Sequence, residues 1–155
     1  MRQRTAPREA LWQGRDADGE TVLRAAIAAS PQDAGPHHAL GLTLTRLKRP
    51  DEALGELRRA SELEPARARY AYVYAVALHS DGRSADAIAV LRDNLTRHPD
   101  DRDSLSALVN FSREAGDAVA ALDYAERLAR LVPGEPGLAA LIETLRRQAK
   151  KPGEP

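Results

Sequence analysis

Apolar residues recur along the chain in short blocks, and most of these blocks end just before a proline. One block, RYAYVYAVAL at 69–78, alternates tyrosine with alanine and valine, which is typical of a half-buried β-strand. Other blocks, such as RAAIAAS, RRASELE and LRDNLTRH, have helical spacing and precede Pro31, Pro65 and Pro99. Whether the tyrosine block is a strand or a helix therefore depends on whether all the blocks belong to one repeat.

The prolines answer this question, because Pro31, Pro65, Pro99 and Pro133 are each 34 residues apart. Small residues follow the same interval, namely Ala53, Ala87 and Ala121. A unit of this length accommodates two helices joined by a short turn, and small residues let paired helices approach closely. The tyrosine block then lies in the first helix of a unit, with Tyr70 and Tyr74 buried on one face and Tyr72 pointing elsewhere.

Three turns are predicted inside the units: KRP at 48–50, DGR at 81–83 and AGD at 115–117. Gly82 and Gly116 suit a left-handed position just after a helix. Ser84 and Asp117 suit the N-cap of the helix that follows.

The residues at these intervals form a known pattern, W-x2-L-G-x2-Y followed by A-x3-F and P. In the first full unit the matching residues are His37, Leu40, Gly41, Leu44, Ala53, Leu57 and Pro65. The chain thus resembles the tetratricopeptide repeat family over 34–67, 68–101 and 102–135. The resemblance implies an all-α fold, a right-handed α-solenoid of antiparallel helix pairs.

The ends of the chain extend the same scheme to one domain over 1–150. A partial repeat is expected over 7–33, with a helical stub at Pro7–Gln13, a second helix at Ala17–Ser30 and Trp12 covering the exposed end. A capping helix is expected over 136–150, because Leu138, Leu141, Ile142 and Leu145 recur at helical spacing and would cover the last apolar face. Residues 151–155 are expected to form a disordered tail.

Composition narrows the class of function. The 23 basic and 23 acidic residues cancel, which gives no indication of a nucleic-acid partner. The chain has no cysteine and no apolar run of the roughly 20 residues that span a bilayer, so we expect no membrane insertion. A cytoplasmic location is expected if the chain is complete, and a periplasmic one is open if it is a fragment of a secreted protein.

No motif for catalysis or phosphate binding occurs in the chain. His37 and His38 are neighbours on a helix and point about 100° apart, so they are poorly placed to chelate one metal. Carboxylates such as Asp51 and Glu52 fall at predicted helix starts, where they offset the helix dipole. We therefore predict no enzyme activity, no cofactor and no metal.

In tetratricopeptide repeat proteins the first helices of successive units line a concave groove that meets the ligand. The resemblance places these residues in that groove: His38, Leu42, Thr45, Arg46, Arg69, Tyr72, Val76, His79, Asn110, Arg113 and Arg147. We expect Tyr72 at its centre, and Arg46, Arg69 and Arg113 to contact acidic groups. The alternative is that these side chains are solvated or pair with one another. The lysine and asparagine clamp of chaperone-binding relatives is missing, since His38, Leu42 and Val73 occupy its positions.

The predicted function is a non-enzymatic protein–protein interaction module, a scaffold or adaptor, that binds a peptide or a partner helix. A second hypothesis is that the chain is the repeat portion of a larger bacterial redox protein, because its sequence is similar to repeat tails that follow multihaem cytochrome domains. A third is self-association, with a homo-oligomer formed through the incomplete first unit.

Overall fold

The computed structural model describes residues 6–150, and the side chains from residue 14 onward. These residues form eight α-helices and no β-strand, which confirms the all-α prediction. The helices are α1 (Ala6–Ala29), α2 (Ala34–Arg46), α3 (Pro50–Leu63), α4 (Ala68–Ser80), α5 (Ser84–Arg97), α6 (Arg102–Glu114), α7 (Ala118–Leu131) and α8 (Pro136–Ala149). The tyrosine block lies within α4 and is helical. The tail predicted at 151–155 and the Trp12 side chain lie outside the described part.

The N-terminal prediction of two helical pieces separated near Gly14 is wrong. A single helix, α1, runs from Ala6 to Ala29 through both Gly14 and Gly19. Glycine inside a helix costs only about 1 kcal/mol. Asp16 and Glu20 of α1 form ion pairs with Arg46 of α2 and with Arg49, the N-cap residue of α3.

The helix ends follow the predicted chemistry with one exception. Gly82 and Gly116 adopt left-handed φ angles of 81° and 78°, as predicted, and Lys48 adopts the same region with φ 57° in the corresponding turn. Asp117 caps α7 by accepting a hydrogen bond from the backbone N–H of Ala120 at 2.9 Å. Ser84 is not an N-cap, because it lies inside α5 and its Oγ pairs with Nδ1 of His79 instead.

The chain divides into two compact units, Met1–Ala77 and Leu78–Pro155. In the first unit α2 packs between α1 and α3. Leu40, Leu44 and Ala53 form its core, and the partly buried Leu23 and Ile27 of α1 pack against it.

A second cluster in the first unit surrounds Tyr70, which is only 5% exposed. Its ring packs against the small side chains of Ala34 and Ala60. Tyr74, which we expected to be equally buried, is partly exposed, as is Tyr72. The burial prediction is therefore confirmed for Tyr70 and too strong for Tyr74, which is not part of this cluster.

In the second unit α6 packs on α5 and α7, and α8 packs on α7. The α8 helix buries Leu138, Ile142 and Leu145 against Ala121 and Ala125 of α7. The opposite side of α8 is charged and exposed. This arrangement confirms the predicted amphipathic character of the C-terminal helix. None of the described helices has the length and apolar character of a membrane span.

Candidate functional site

The predicted groove residues lie on α2, α4 and α6, the first helices of the predicted pairs, and on α8, the predicted capping helix. The α2 helix carries His38, Leu42, Thr45 and Arg46; α4 carries Arg69, Tyr72, Val76 and His79; α6 carries Asn110 and Arg113; and α8 carries Arg147. Those numbered up to 76 belong to the first unit, and the others to the second. The predicted residues are therefore divided between two faces, one in each unit.

The first unit presents a group of aromatic rings and guanidinium groups. The rings of His38 and Tyr70 lie 4.5 Å apart at an interplanar angle of 34°. The guanidinium carbon of Arg67 lies 5.0 Å from the centroid of Tyr70, and that of Arg69 lies 5.6 Å from the centroid of Tyr72. Both distances are within cation–π range, so the guanidinium groups of Arg67 and Arg69 each lie over a tyrosine ring.

His38 is held in its uncharged form by this environment. Burial, and then the charges of Arg69 and Arg67, lower its pKa below the ordinary histidine value of 6.5. Its Nδ1 atom is buried and has no hydrogen-bond partner in the described part of the chain. At neutral pH, His38 therefore contributes an uncharged aromatic ring to this face.

Arg46, which we expected to contact acidic groups of a ligand, already has an acidic partner inside the chain. Its Nη2 donates to Oδ1 of Asp16 at 2.8 Å and to Oγ1 of Thr43 at 3.1 Å. The hydrogen bond from Arg46 holds the pKa of Asp16 below its ordinary value. For Arg46 the structure thus shows the alternative in which a groove residue forms an internal salt bridge.

Two other α2 residues of the prediction have simpler environments. The Thr45 hydroxyl donates to the carbonyl oxygen of Gly41 at 2.9 Å, within its own helix. Leu42 is 38% exposed and is one of the large apolar side chains that the structure leaves open to solvent. Leu42 is therefore available for apolar contact with a partner.

A network of two arginines and two glutamates near α1 was not predicted. Arg49 Nη1 bonds Glu20 Oε2 at 2.8 Å, and Arg49 Nε bonds Glu52 Oε1 at 2.7 Å. Arg24 Nη2 bonds the same two carboxylates at 2.8 and 3.0 Å. The sequence shows Glu52 as a helix-start residue, but its partner on α1 is 28 residues away and could not be read from local spacing.

His37 was assigned no function, and the structure gives it a structural role. It is 7% exposed, its Nδ1 lies 2.6 Å from Oε2 of Glu56, and its Nε2 lies 3.0 Å from the carbonyl oxygen of Pro31. These contacts join α2 to α3 and to the segment after α1. No group of three or more potential metal-binding side chains occurs among the residues that the structure describes.

In the second unit His79 joins three helices. Its Nε2 lies 2.9 Å from Oε2 of Glu114, and its Nδ1 lies 3.0 Å from Oγ of Ser84. Its ring stacks on Phe111 with centroids 3.8 Å apart and an interplanar angle of 12°. His79 therefore positions Glu114 at the end of α6.

Next to this contact lies an open polar depression of about 300 Å³, lined by Asn110, Arg113, Glu114 and Gln148. The structure brings the predicted residues Asn110 and Arg113 together here. Arg147 lies beside Gln148 in sequence and donates a long hydrogen bond, 3.5 Å, to Oγ1 of Thr144. Gln148 was missed, because an exposed glutamine near the end of a helix has no distinctive pattern in the sequence.

Comparison with protein families gives a match to the tetratricopeptide repeat over residues 38–102. These residues are tetratricopeptide repeats. The match begins within α2 and extends to the first residue of α6. The match includes the whole of α3, α4 and α5.

Solved structures support the same fold. A crystal structure of MamA matches with a TM-score of 0.74 and 18% identity, over 88% of this chain and 74% of that one. A second MamA structure matches with a TM-score of 0.73 and 17% identity, over 96% and 90%. PilF of Pseudomonas aeruginosa matches with a TM-score of 0.70 and 24% identity, over 90% and 64%. A search of curated proteins gave no match. At these identities the likeness shows the helical repeat fold, and the repeat family supports a general role as a protein-interaction scaffold.

Proposed function

We propose that the chain is a non-enzymatic interaction module that binds an extended peptide or a partner helix through the first helices of its repeats. The observation that carries this proposal is the exposed polar stripe of α6. One side of α6 is buried, while Asp103, Ser106, Asn110 and Arg113 are exposed at spacings of three and four residues. The exposed residues therefore form one continuous face of the helix.

The first unit supplies a complementary kind of surface. Leu42 is an exposed apolar side chain, and Tyr72 presents a partly exposed ring beneath the Arg69 guanidinium. Tyrosine and arginine are enriched among residues that dominate binding energies at protein interfaces. The aromatic face of the first unit and the polar stripe of the second would each provide anchors for a protein ligand.

The test is a selection of randomised, displayed peptides on the purified chain, followed by affinity measurements on variants. The variant Tyr72→Ala/Arg113→Ala removes one anchor from each unit. The matched control is Tyr124→Ala/Arg130→Ala, which truncates the same residue types on α7, the second helix of its pair. Circular dichroism serves to check that both variants are folded before their affinities are compared.

We expect the first variant to bind the selected peptides about tenfold or more weakly, because hot-spot truncation costs about 1–2 kcal/mol or more. The control should stay within about twofold of the wild type. Equal losses in both variants, or a selection that enriches no peptide above background, would overturn the proposal.

A further inference from the structure

The polar depression of the second unit is lined by polar and charged side chains, which determine the kind of ligand group that it can bind. Asn110, Arg113 and Glu114 line it from the C-terminal end of α6, and Gln148 lines it from the C-terminal end of α8. Its volume of about 300 Å³ lies at the lower end of the range for small-ligand sites. It is therefore large enough for one polar side chain and its flanking peptide groups.

Three of the four lining side chains can donate hydrogen bonds. Within the described part of the chain, the side chains of Asn110, Arg113 and Gln148 make no hydrogen bond or ion pair. A guanidinium group offers five N–H donors in a planar fork, and each amide offers two more. These donors can satisfy both oxygens of one carboxylate.

Glu114 is the acidic side chain of this lining, and it already has a partner. Its Oε2 lies 2.9 Å from Nε2 of His79, which Ser84 and Phe111 hold in place. Arg113, in contrast, makes no ion pair with any residue that the structure describes. The N–H donors of its guanidinium group are thus open to a carboxylate of a ligand.

We propose that this depression is a subsite for an aspartate or glutamate side chain of the partner. Arg113 would bind the carboxylate through two parallel hydrogen bonds, and the amide groups of Asn110 and Gln148 would donate to its remaining lone pairs. The inference rests on the proposed function, since it names the chemistry that one part of the binding face recognises.

The test uses the isotope-labelled chain and two end-blocked tripeptides, alanine–glutamate–alanine and its glutamine isostere. Nuclear magnetic resonance follows the side-chain amide signals of Asn110 and Gln148 during titration. We expect the glutamate peptide to shift these signals and to bind at least about fivefold more tightly than the isostere, the ratio that corresponds to about 1 kcal/mol. Raising the salt concentration from about 0.05 to 0.5 M should weaken the binding.

Charge variants test the assignment in both directions. Arg113→Gln should weaken binding of the glutamate peptide by about fivefold, whereas Glu114→Gln should leave it equal or tighter because a competing carboxylate is removed. Arg130→Gln, an exposed arginine on α7, is the matched control and should have no effect. Equal binding of the two peptides, or an unchanged affinity in Arg113→Gln, would overturn the subsite.

The outcome is separable from that of the proposed function. If displayed peptides are captured through Tyr72 while the tripeptides show no preference for glutamate, the interaction module stands and the carboxylate subsite is wrong. If no displayed peptide is captured but the glutamate preference holds, the subsite stands and the wider module is wrong.

Discussion

A close contact between α2 and α3 in the first unit predicts an unusual response to a glycine substitution. Gly41 of α2 faces Leu57 of α3, which is 1% exposed. A Cβ atom on Gly41 would lie 2.5 Å from Cγ and 2.7 Å from Cδ2 of Leu57, and 3.2 Å from the carbonyl oxygen of Ala53. Carbon atoms normally approach to about 3.5–4.0 Å, so Gly41→Ala requires a displacement of about 1 Å in a packed core.

Two opposing terms set the size of the effect. Replacing glycine by alanine inside a helix gains about 0.5–1 kcal/mol. Overpacking a well-filled core costs about 1–3 kcal/mol, which includes the strain of a Leu57 rotamer forced from its minimum, and a displacement of about 1 Å places this site in the upper half of that range. We therefore expect Gly41→Ala to lower the free energy of unfolding by about 1–2.5 kcal/mol.

The same helix pair contains its own control. Gly55 lies inside α3 and has no atom within 4 Å of the position where a Cβ would be. Gly55→Ala should therefore stabilise the protein by about 0.5–1 kcal/mol. In Gly41→Ala/Leu57→Ala the clash is relieved, so the double variant should lose less stability than the sum of the two single changes.

Urea unfolding monitored by circular dichroism measures the wild type and four variants, Gly41→Ala, Gly55→Ala, Leu57→Ala and Gly41→Ala/Leu57→Ala. If Gly41→Ala is as stabilising as Gly55→Ala, the close packing of α2 on α3 is wrong. Additive effects in the double variant would show that Leu57 does not carry the clash.

Three further predictions use the same measurement. Ala87 is 0% exposed, so Ala87→Arg should cost at least about 1–3 kcal/mol, whereas Ala85→Arg on the exposed side of α5 should be nearly neutral. Ser104→Ala removes the buried acceptor that Asn94 Nδ2 contacts at 2.9 Å and should cost about 1–3 kcal/mol; a neutral result would show that this hydrogen bond is unimportant. The pKa of Asp16 is lowered in the folded chain, so its stabilising effect is present above its ordinary value of 3.8 and is lost as the pH falls through the folded value. The stability difference between the wild type and Asp16→Asn should therefore shrink on acidification, and a difference that does not change with pH would contradict this assignment.

The sequence predicts the helix pairs well because the features that end and join helices act locally. The prolines at 34-residue intervals stop second helices whatever surrounds them, since proline lacks the donor and clashes with the preceding turn. Ala87 and Ala121 are buried as expected, because only small residues fit between closely packed helices. Gly82 and Gly116 adopt positive φ for an equally local reason.

The failures concern contacts that residue type and local spacing do not show. The unbroken α1 carries Asp16 and Glu20, which pair with arginines 30 and 29 residues away, and no local pattern shows such pairs. Arg46 was expected to contact a ligand because its partner Asp16 lies 30 residues away, where local spacing does not show the pair. Ser84 has the residue type of an N-cap, but its hydroxyl bonds His79 across the turn. Spacing along the sequence places a residue on one face of a helix. Contacts between helices in the folded chain decide whether its charge is paired.

Amide chemical-shift mapping of the labelled chain with a peptide obtained by selection tests the central claim most directly. The account predicts that the largest changes fall on α2, α4 and α6, the helices that carry the aromatic face and the polar stripe. Changes concentrated instead on α3, α5 and α7 would contradict it, because these second helices carry none of the proposed binding residues.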